Sequence, residues 1–282
     1  IRASGADKGY IFELYADVAD TFPSLDHVII LYVLRTRFGV KGRLWDAHAA
    51  LIDGVQTSVQ IGEFFTACQE ILVGVSQGSG HSPMHWSLVF NEVAEWVESR
   101  MRQIAATDMS PREVFTIEGL QDAMLLFVDD MQGQVTTAAA LQEMASAIEA
   151  AGDEVALEFC PAKTKVMVRG RDAAAVRRGK AELETLQHAE GNGVKFCGRI
   201  LDVISSFAYL GVTEDEEGTY EAQMAKARTK YEGACEVHRR SGATGGRIPA
   251  VESLTLTQGV ANGLLYGAAV WALDERRMRQ LD

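Results

Sequence analysis

The sequence predicts an α+β fold in which short strands alternate with longer helices. Phe12 to Val18 is a short, mostly apolar run that leads into acidic residues, which is typical of a strand, and residues 26–35 carry apolar side chains at helical spacing. The chain has 282 residues, of which 47% are hydrophobic and 23% are charged, so it can bury a core and is not disordered. We expect an antiparallel sheet with helices on one face, followed by a mainly helical region.

The first half of the chain contains a predicted helix and a predicted hairpin. Residues 71–75 form a β-prone run, and Ser82-Pro83 can begin a helix that continues to about Arg102. Met124–Val128 and Met131–Val135 predict a β-hairpin that carries acidic residues at its tip. The helix should face the core through apolar side chains at helical spacing: Trp86, Val89, Phe90, Val93, Trp96 and Val97.

Shorter elements are predicted in the second half. Thr136 or Thr137 should cap an Ala-rich helix that ends near Gly152. Residues 155–159 and 165–168 are predicted strands, and residues 194–197 are expected to pair with residues 207–212. Residues 219–240 again have a helical pattern.

Charge and cysteine content restrict the functional class. The net charge of −12 argues against a nucleic-acid binder, but residues 163–200 hold nine Lys and Arg against four Asp and Glu, and we expect nucleic-acid backbone contacts there. The four cysteines form no CxxC pair, which favours a reducing compartment, cytoplasmic or nuclear. Residues 254–273 are uncharged but contain Gly, Gln and Asn, so we expect a packed helix and no membrane segment.

The acidic pair Asp129-Asp130 directly follows five apolar residues. Because two buried like charges are costly, these side chains should lie at a strand end that faces water or a cation. A solvated turn is the simpler alternative for the pair alone. Asp17 ends a second apolar strand, and carboxylates from two strand ends suit Mg²⁺ and phosphoryl transfer with two metal ions.

Six motifs in this order resemble the palm and thumb of reverse transcriptases from non-LTR (LINE-type) retrotransposons. They span nearly the whole chain, and their order is more specific than any one of them. The motifs are Asp17-Val18-Ala19-Asp20-Thr21-Phe22 with Leu25-Asp26-His27; Gly74-Val75-Ser76-Gln77-Gly78 with Ser82-Pro83; Phe127-Val128-Asp129-Asp130; Pro161-Ala162-Lys163-Thr164-Lys165; Phe207-Ala208-Tyr209-Leu210-Gly211; and Leu264-Leu265-Tyr266-Gly267 with Trp271.

The resemblance implies a palm in residues 1–213, with the fingers largely absent, and a thumb-like helical region in residues 214–282. It implies an RNA-directed DNA polymerase that uses two Mg²⁺ ions, with Mn²⁺ as a substitute, an RNA template, a DNA primer and deoxynucleoside triphosphates. The residues assigned in this way are Asp17, Asp129, Asp130 and the Val18 carbonyl for the metals, Phe22 beneath the incoming sugar, Gln77 and Gly78 against template and nucleotide, and Lys163 for the leaving pyrophosphate.

The sequence departs from the family pattern at some positions, and these departures leave two alternative functions to consider. Pro23 stands where the LINE-type enzymes usually carry Asp, and Cys160 where they usually carry Asn. The fingers have no counterpart before Asp17, so we expect further domains of a longer polyprotein. The first alternative is a catalytically inactive scaffold that binds nucleic acid or protein. The second is an RNA-dependent RNA polymerase, which shares the palm, although Phe22 favours synthesis of DNA.

Overall fold

The computed structural model describes residues 8–76, 79–107, 124–127, 130–219 and 221–242. The chain divides into two compact units between residues 204 and 205. Whether these units correspond to the palm and thumb predicted with a boundary at residue 213 stays a prediction.

A five-stranded sheet forms the centre of the first unit. Its spatial order is β5-β4-β1-β3-β2, and every neighbouring pair is antiparallel except β4 with β5, which is parallel. The antiparallel α+β architecture expected from the sequence is therefore confirmed. The strands are β1 (Tyr10–Asp17), β2 (Met124–Phe127), β3 (Asp130–Val135), β4 (Lys165–Gly170) and β5 (Asp202–Ile204).

Helices cover one face of this sheet. Alternate side chains of β1, at Phe12, Leu14 and Ala16, are buried in the hydrophobic core on that face. Gly133 and Gly179 let helices approach closely, because a Cβ on either would lie within 2.5 Å of a helix or strand side chain. The helices of this unit are α1 (His27–Thr36), α2 (Arg43–Ile52), α3 (Ser82–Thr107), α4 (Ala138–Glu154) and α5 (Ala173–Leu183).

The four predicted helices that fall within the described residues form, and caps explain where two of them begin. Asp26 accepts hydrogen bonds from the amides of Val28 and Ile29 at the start of α1, and Thr137 caps α4. The predicted apolar stripe of α3 is buried except for Trp96, which is 40% exposed. At the start of α3, the hydroxyl of Ser82 donates a hydrogen bond to the carbonyl of Ser76 at 2.7 Å, which is not the bond that an N-cap side chain makes.

Three predicted strand assignments are wrong. Residues 155–159 form no strand, because α4 continues to Glu154 and ends in a tight turn in which Ala156 has a φ of 52°. Residues 71–75 contribute one bridge, between Asp26 and Val73. Residues 194–197 do not pair with residues 207–212. Instead, Lys195–Phe196 pairs with Arg199–Ile200 across a two-residue turn, whose positive φ angles are those of a type I′ hairpin.

Short strand pairs complete the first unit. Two of them lie between α2 and α3, and their residues are exposed. The pairs are Gln56–Thr57 with Gln69–Glu70, Gln60–Ile61 with Phe64–Phe65, and Gln187–His188 with Gly191–Asn192.

The described part of the second unit, residues 205–219 and 221–242, contains a hairpin and a long helix. Strands β6 (Ser206–Tyr209) and β7 (Val212–Asp215) are joined by Leu210-Gly211, both with positive φ, so the predicted motif at 207–211 forms a tight hairpin. Helix α6 (Glu221–Gly242) follows and confirms the predicted helical pattern. The side chain of Gln223 accepts a hydrogen bond from the Thr213 amide at 2.8 Å and ties the helix to β7.

Within the described helices, none is long and apolar enough to cross a membrane. Residues 254–273 and the motif at 264–271 lie outside the described residues.

Candidate active site

Two predicted aspartates face each other at one end of the central sheet. Asp17 is the last residue of β1 and Asp130 is the first of β3, and the antiparallel register places them directly opposite. Directly opposed residues share a face and have Cβ atoms about 4.5–5.5 Å apart, a spacing at which like charges repel. Both residues are half-buried. A cation at this end of the sheet would therefore be favoured. Asp129 lies outside the described residues.

Lys163 supplies a positive charge beside Asp17. Its Nζ lies 3.3 Å from Asp17 Oδ2, and its side chain is 68% exposed. Asp17 Oδ2 is itself shielded from solvent and accepts no hydrogen bond of standard geometry from the described residues. The contact is thus a long, weakly directed ion pair. The direct polar contact with the Asp17 carboxylate, and then the negative charge of Asp17, raises the pKa of Lys163 above its ordinary value.

Backbone hydrogen bonds attach the segment that carries Lys163 to the end of β1. The Cys160 amide donates to the Asp17 carbonyl, and the Ala19 amide donates to the Glu158 carbonyl, each at 2.8 Å. Neither bond uses the Val18 carbonyl, which was predicted to bind metal. Thr164 is fully buried, and its hydroxyl accepts from the Asp17 amide and donates to the Cys160 carbonyl. Asp17 and the Lys163 turn are therefore held together through main-chain contacts.

The donor atoms at this end of the sheet suit Mg²⁺. They are carboxylate oxygens of Asp17 and Asp130, and hard cations such as Mg²⁺ prefer a few carboxylates together with water and phosphate oxygens. The shielded Oδ2 of Asp17 faces the Lys163 ammonium but accepts no hydrogen bond of standard geometry from the described residues, so its lone pairs can serve a metal ion. Among the described residues, no group of three or more His, Cys, Asp or Glu side chains is arranged to hold a metal ion.

Lys165, the second lysine of this motif, points to a different partner. Its Nζ donates to Asp202 Oδ2 at 2.5 Å and to the Ala162 carbonyl at 2.7 Å. The side chain is only 20% exposed. Of the two lysines, therefore, Lys163 is the one that reaches Asp17.

The glycine-containing motif begins against the turn that follows Asp17. The Gly74 amide donates to the Leu25 carbonyl at 2.7 Å, and the Val75 amide donates to the Phe22 carbonyl at 2.9 Å. Gly74 has a φ of 96°, and a Cβ there would lie 2.7 Å from the Pro23 carbonyl oxygen, so glycine is required. Gln77 and Gly78 lie outside the described residues.

Phe22 is half-buried and packs against the hydrophobic core. Its ring meets Trp86 of α3 edge-on, with centroids 6.2 Å apart. The predicted contact of Phe22 with the sugar of an incoming nucleotide stays a prediction.

A family model described as reverse transcriptase (RNA-dependent DNA polymerase) matches residues 5–213. The chain belongs to the reverse transcriptase family. The resemblance seen in the sequence motifs is confirmed at this level, and the assignment to the LINE-type subgroup stays a proposal. No curated protein matches the chain.

Two solved telomerase structures are similar to this reverse transcriptase chain. Apo telomerase from Candida tropicalis, truncated from its C-terminal domain, is 11% identical with a TM-score of 0.45, and the match covers 73% of this chain and 34% of that one. Telomerase from Candida albicans, in complex with a TWJ fragment of telomeric RNA, is 11% identical with a TM-score of 0.45, covering 78% and 34%. This chain therefore spans about a third of the length of either one.

A buried polar network lies on the sheet face that carries Asp17, and the sequence prediction missed it. Glu13 of this reverse transcriptase chain is fully buried and accepts hydrogen bonds from Tyr15 Oη at 2.8 Å and Gln134 Nε2 at 3.0 Å. Arg169 of β4 contacts both Glu13 oxygens, through Nη2 at 3.1 Å and Nε at 3.0 Å. Gln132 Nε2 donates to Tyr15 Oη at 3.2 Å. Glu13 thus joins β1 to both neighbouring strands.

A signal for this network was present in the sequence. Polar residues alternate with apolar or small ones in both strands. The series in β1 ends at Asp17, and the series in β3 begins at Asp130. Such alternation places the polar residues on one face. The prediction treated residues 12–18 as a mostly apolar run and did not use the alternation.

His27 meets two histidines from a distant part of the sequence next to the glycine-containing motif. His27, His81 and His85 line a cavity of about 70 Å³ next to Gly74. His27 Nε2 lies 2.7 Å from the Gly74 carbonyl oxygen. His85 is 1% exposed, and burial, followed by the charges of His48 and His81, lowers the pKa of His85 to about 4. His85 is therefore neutral at pH 7.

The basic segment at residues 163–200 is largely neutralised within the structure. At least five of its nine cations form ion pairs with carboxylates. The predicted nucleic-acid contacts of this segment stay a prediction, and most of these cations would have to exchange a carboxylate for a phosphate. They are Lys163, Lys165, Arg169, Arg171 and Lys195.

Proposed function

We propose that this chain is the core of an RNA-directed DNA polymerase from a non-LTR retrotransposon, which extends a primer 3′-hydroxyl on an RNA template. The observation that carries the proposal is the opposed pair Asp17 and Asp130, with Lys163 beside it. Family membership supports polymerase chemistry, and the order of the sequence motifs supports the LINE-type subgroup.

The proposed metal ligands are the carboxylates of Asp17, Asp129 and Asp130 and the carbonyl of Val18. Two Mg²⁺ ions bound there, or Mn²⁺ in their place, would activate the attacking hydroxyl and stabilise the leaving pyrophosphate. Main-chain bonds hold Asp17 at the strand end, so the carboxylate is positioned before any substrate binds.

The remaining proposed roles concern the nucleotide. The exposed ammonium of Lys163 would neutralise or protonate the departing pyrophosphate. Phe22 would lie beneath the incoming sugar, where it would exclude a 2′-hydroxyl. Gln77 and Gly78 would contact the template and the nucleotide, and the Gly74 turn fixes where that segment begins. An RNA template, a DNA primer, deoxynucleoside triphosphates, further domains of a longer polyprotein and an intracellular site of action belong to the same proposal.

Primer extension tests this function. The full chain is incubated with an RNA template, a DNA primer and deoxynucleotides in Mg²⁺ and, separately, in Mn²⁺. We expect incorporation that is lost in Asp17→Asn and Asp129→Asn but retained in Asp46→Asn, which changes an exposed aspartate of α2. Ribonucleotides in place of deoxynucleotides separate RNA synthesis from DNA synthesis. Equal incorporation by wild type and both active-site variants would contradict the proposal.

A catalytically inactive scaffold is the second candidate. The observations that favour it are the net charge of −12 and the internal pairing of the basic segment at 163–200. Filter binding of RNA at low and high salt, beside the extension assay, separates the two functions. A scaffold for nucleic acid would show steeply salt-dependent binding without metal-dependent synthesis.

A further inference from the structure

We propose, on the basis of the function proposed above, that Lys163 and a divalent cation compete for Asp17, so that metal binding displaces the Lys163 ammonium toward the leaving group. Lys163 would then stabilise the carboxylate before metal binding and act on pyrophosphate afterwards. The two roles belong to one side chain that changes partner.

The position of Lys163 allows this exchange. Its amide donates to the Cys160 carbonyl at 3.1 Å, so the backbone of the turn is anchored. Its side chain is 68% exposed and reaches Asp17 Oδ2 over 3.3 Å. An exposed ion pair contributes little to stability, so the ammonium can leave Asp17 at little cost while the turn keeps its place.

The charges at the strand end favour either the Lys163 ammonium or a divalent cation at Asp17, but not both together. Asp17 and Asp130 oppose each other across the strand pair, so their repulsion favours any nearby positive charge. A divalent ion that coordinates the carboxylates directly supplies more charge than one ammonium. If both cations stayed at Asp17 they would repel each other, and the weaker ligand contact, that of Lys163, would break.

Lys165 provides a matched control. It lies two residues away in the same motif and carries the same charge, but it is 20% exposed and its ammonium is held by Asp202 and the Ala162 carbonyl. Its removal changes the net charge of the protein by the same amount without changing the contacts of Asp17.

Binding of Mn²⁺ alone tests the competition without any polymerase assay. Free Mn²⁺ is followed by electron paramagnetic resonance during titration of the full-length chain. Lys163→Gln should bind Mn²⁺ about three- to tenfold more tightly than wild type, because a nearby positive charge has been removed. Lys165→Gln should bind like wild type, and Asp17→Asn should lose the binding.

Chemical labelling of the wild type provides a second measurement. A lysine-acylating reagent is applied with and without Mg²⁺, and the modified lysines are quantified by mass spectrometry. The labelling of Lys163 should increase with Mg²⁺, because its amine no longer contacts the carboxylate. The labelling of Lys165 should stay constant.

The outcomes separate this inference from the proposed function. Mn²⁺ binding that depends on Asp17 but is equal or weaker in Lys163→Gln would overturn the competition and leave the metal site intact. Absence of Asp17-dependent Mn²⁺ binding in every variant would overturn both. Tighter binding in Lys163→Gln and Lys165→Gln alike would reduce the effect to net charge and would also overturn it.

Discussion

Removal of the Glu13 carboxylate should destabilise the sheet strongly. In Glu13→Leu, Tyr15 and Gln134 lose a hydrogen-bond acceptor, and the Arg169 guanidinium loses both contacts with the carboxylate. Glu13 is fully buried, and the Arg169 side chain is only 12% exposed, so water cannot easily replace the lost partner. The effect should therefore exceed that of an ordinary surface substitution.

The expected magnitude follows from the burial of the pair. Breaking a buried ion pair by removing one partner costs about 3–5 kcal/mol. Domains of ordinary size are stable by about 5–15 kcal/mol, so Glu13→Leu should remove about a fifth or more of the free energy of unfolding. Urea unfolding followed by circular dichroism measures this loss. Glu63→Leu, at an exposed position outside the sheet, is the control and should change stability little.

A double-mutant cycle identifies the interaction. Arg169→Met alone should also be costly, since it leaves the Glu13 carboxylate buried without its cation. The double variant Glu13→Leu/Arg169→Met removes both charges and should be more stable than the sum of the single losses predicts, by about 2 kcal/mol or more. A loss below about 1 kcal/mol in Glu13→Leu, or strictly additive losses, would refute the reasoning.

Three smaller substitutions test other parts of the structure. Gly74→Ala should cost about 1–3 kcal/mol in urea unfolding because of its φ of 96° and the contact with Pro23, whereas Gly80→Ala, with open space around it, should be nearly neutral. Thr164→Val should cost about 1–3 kcal/mol, since it leaves the Asp17 amide without its acceptor; an unchanged urea midpoint would argue against that contact. Protonation of His85 should disfavour folding. Its pKa is lowered to about 4 in the fold, so the unfolded chain takes up the proton first. The free energy of unfolding therefore has its full value above about pH 6.5 and falls by up to about 3 kcal/mol as the pH approaches 4. Thermal unfolding of His85→Gln should lack this component, and parallel pH curves for the two proteins would contradict the assignment.

Local patterns were sufficient for most helices and for the strands that carry the aspartates. Asp26 and Thr137 begin their helices by accepting hydrogen bonds from amides two or three residues away. Because these contacts are local, the sequence can indicate a cap together with the helix that it begins. The strand assignment failed at residues 155–159, where the pattern was strand-like. Helix α4 continues to Glu154, and the chain then turns sharply back toward Val18. A single bridge forms there, and a short apolar run cannot show whether a partner strand is available.

The candidate site was predicted in part. The acidic strand ends indicated that Asp17 and Asp130 carry the chemistry, but their opposition depends on the register between β1 and β3, which are separated by more than a hundred residues. The preference for Lys163 over Lys165 likewise gains its physical basis from the contacts with Asp17 and Asp202. The histidine cavity at His85 was not predicted, because His27 comes from α1 whereas His81 and His85 lie at the start of α3, more than fifty residues later in the sequence.

The amino-acid sequence by itself determined the class of fold, four of the helices and the residue types able to bind a divalent cation, because these depend on neighbours within a few positions. Only the tertiary structure decided which charges meet. Asp17 faces Asp130 and contacts Lys163, while Glu13 is buried against Arg169. The energy of a charge depends on its distance from other charges and from water, and both are set by chain segments distant in sequence.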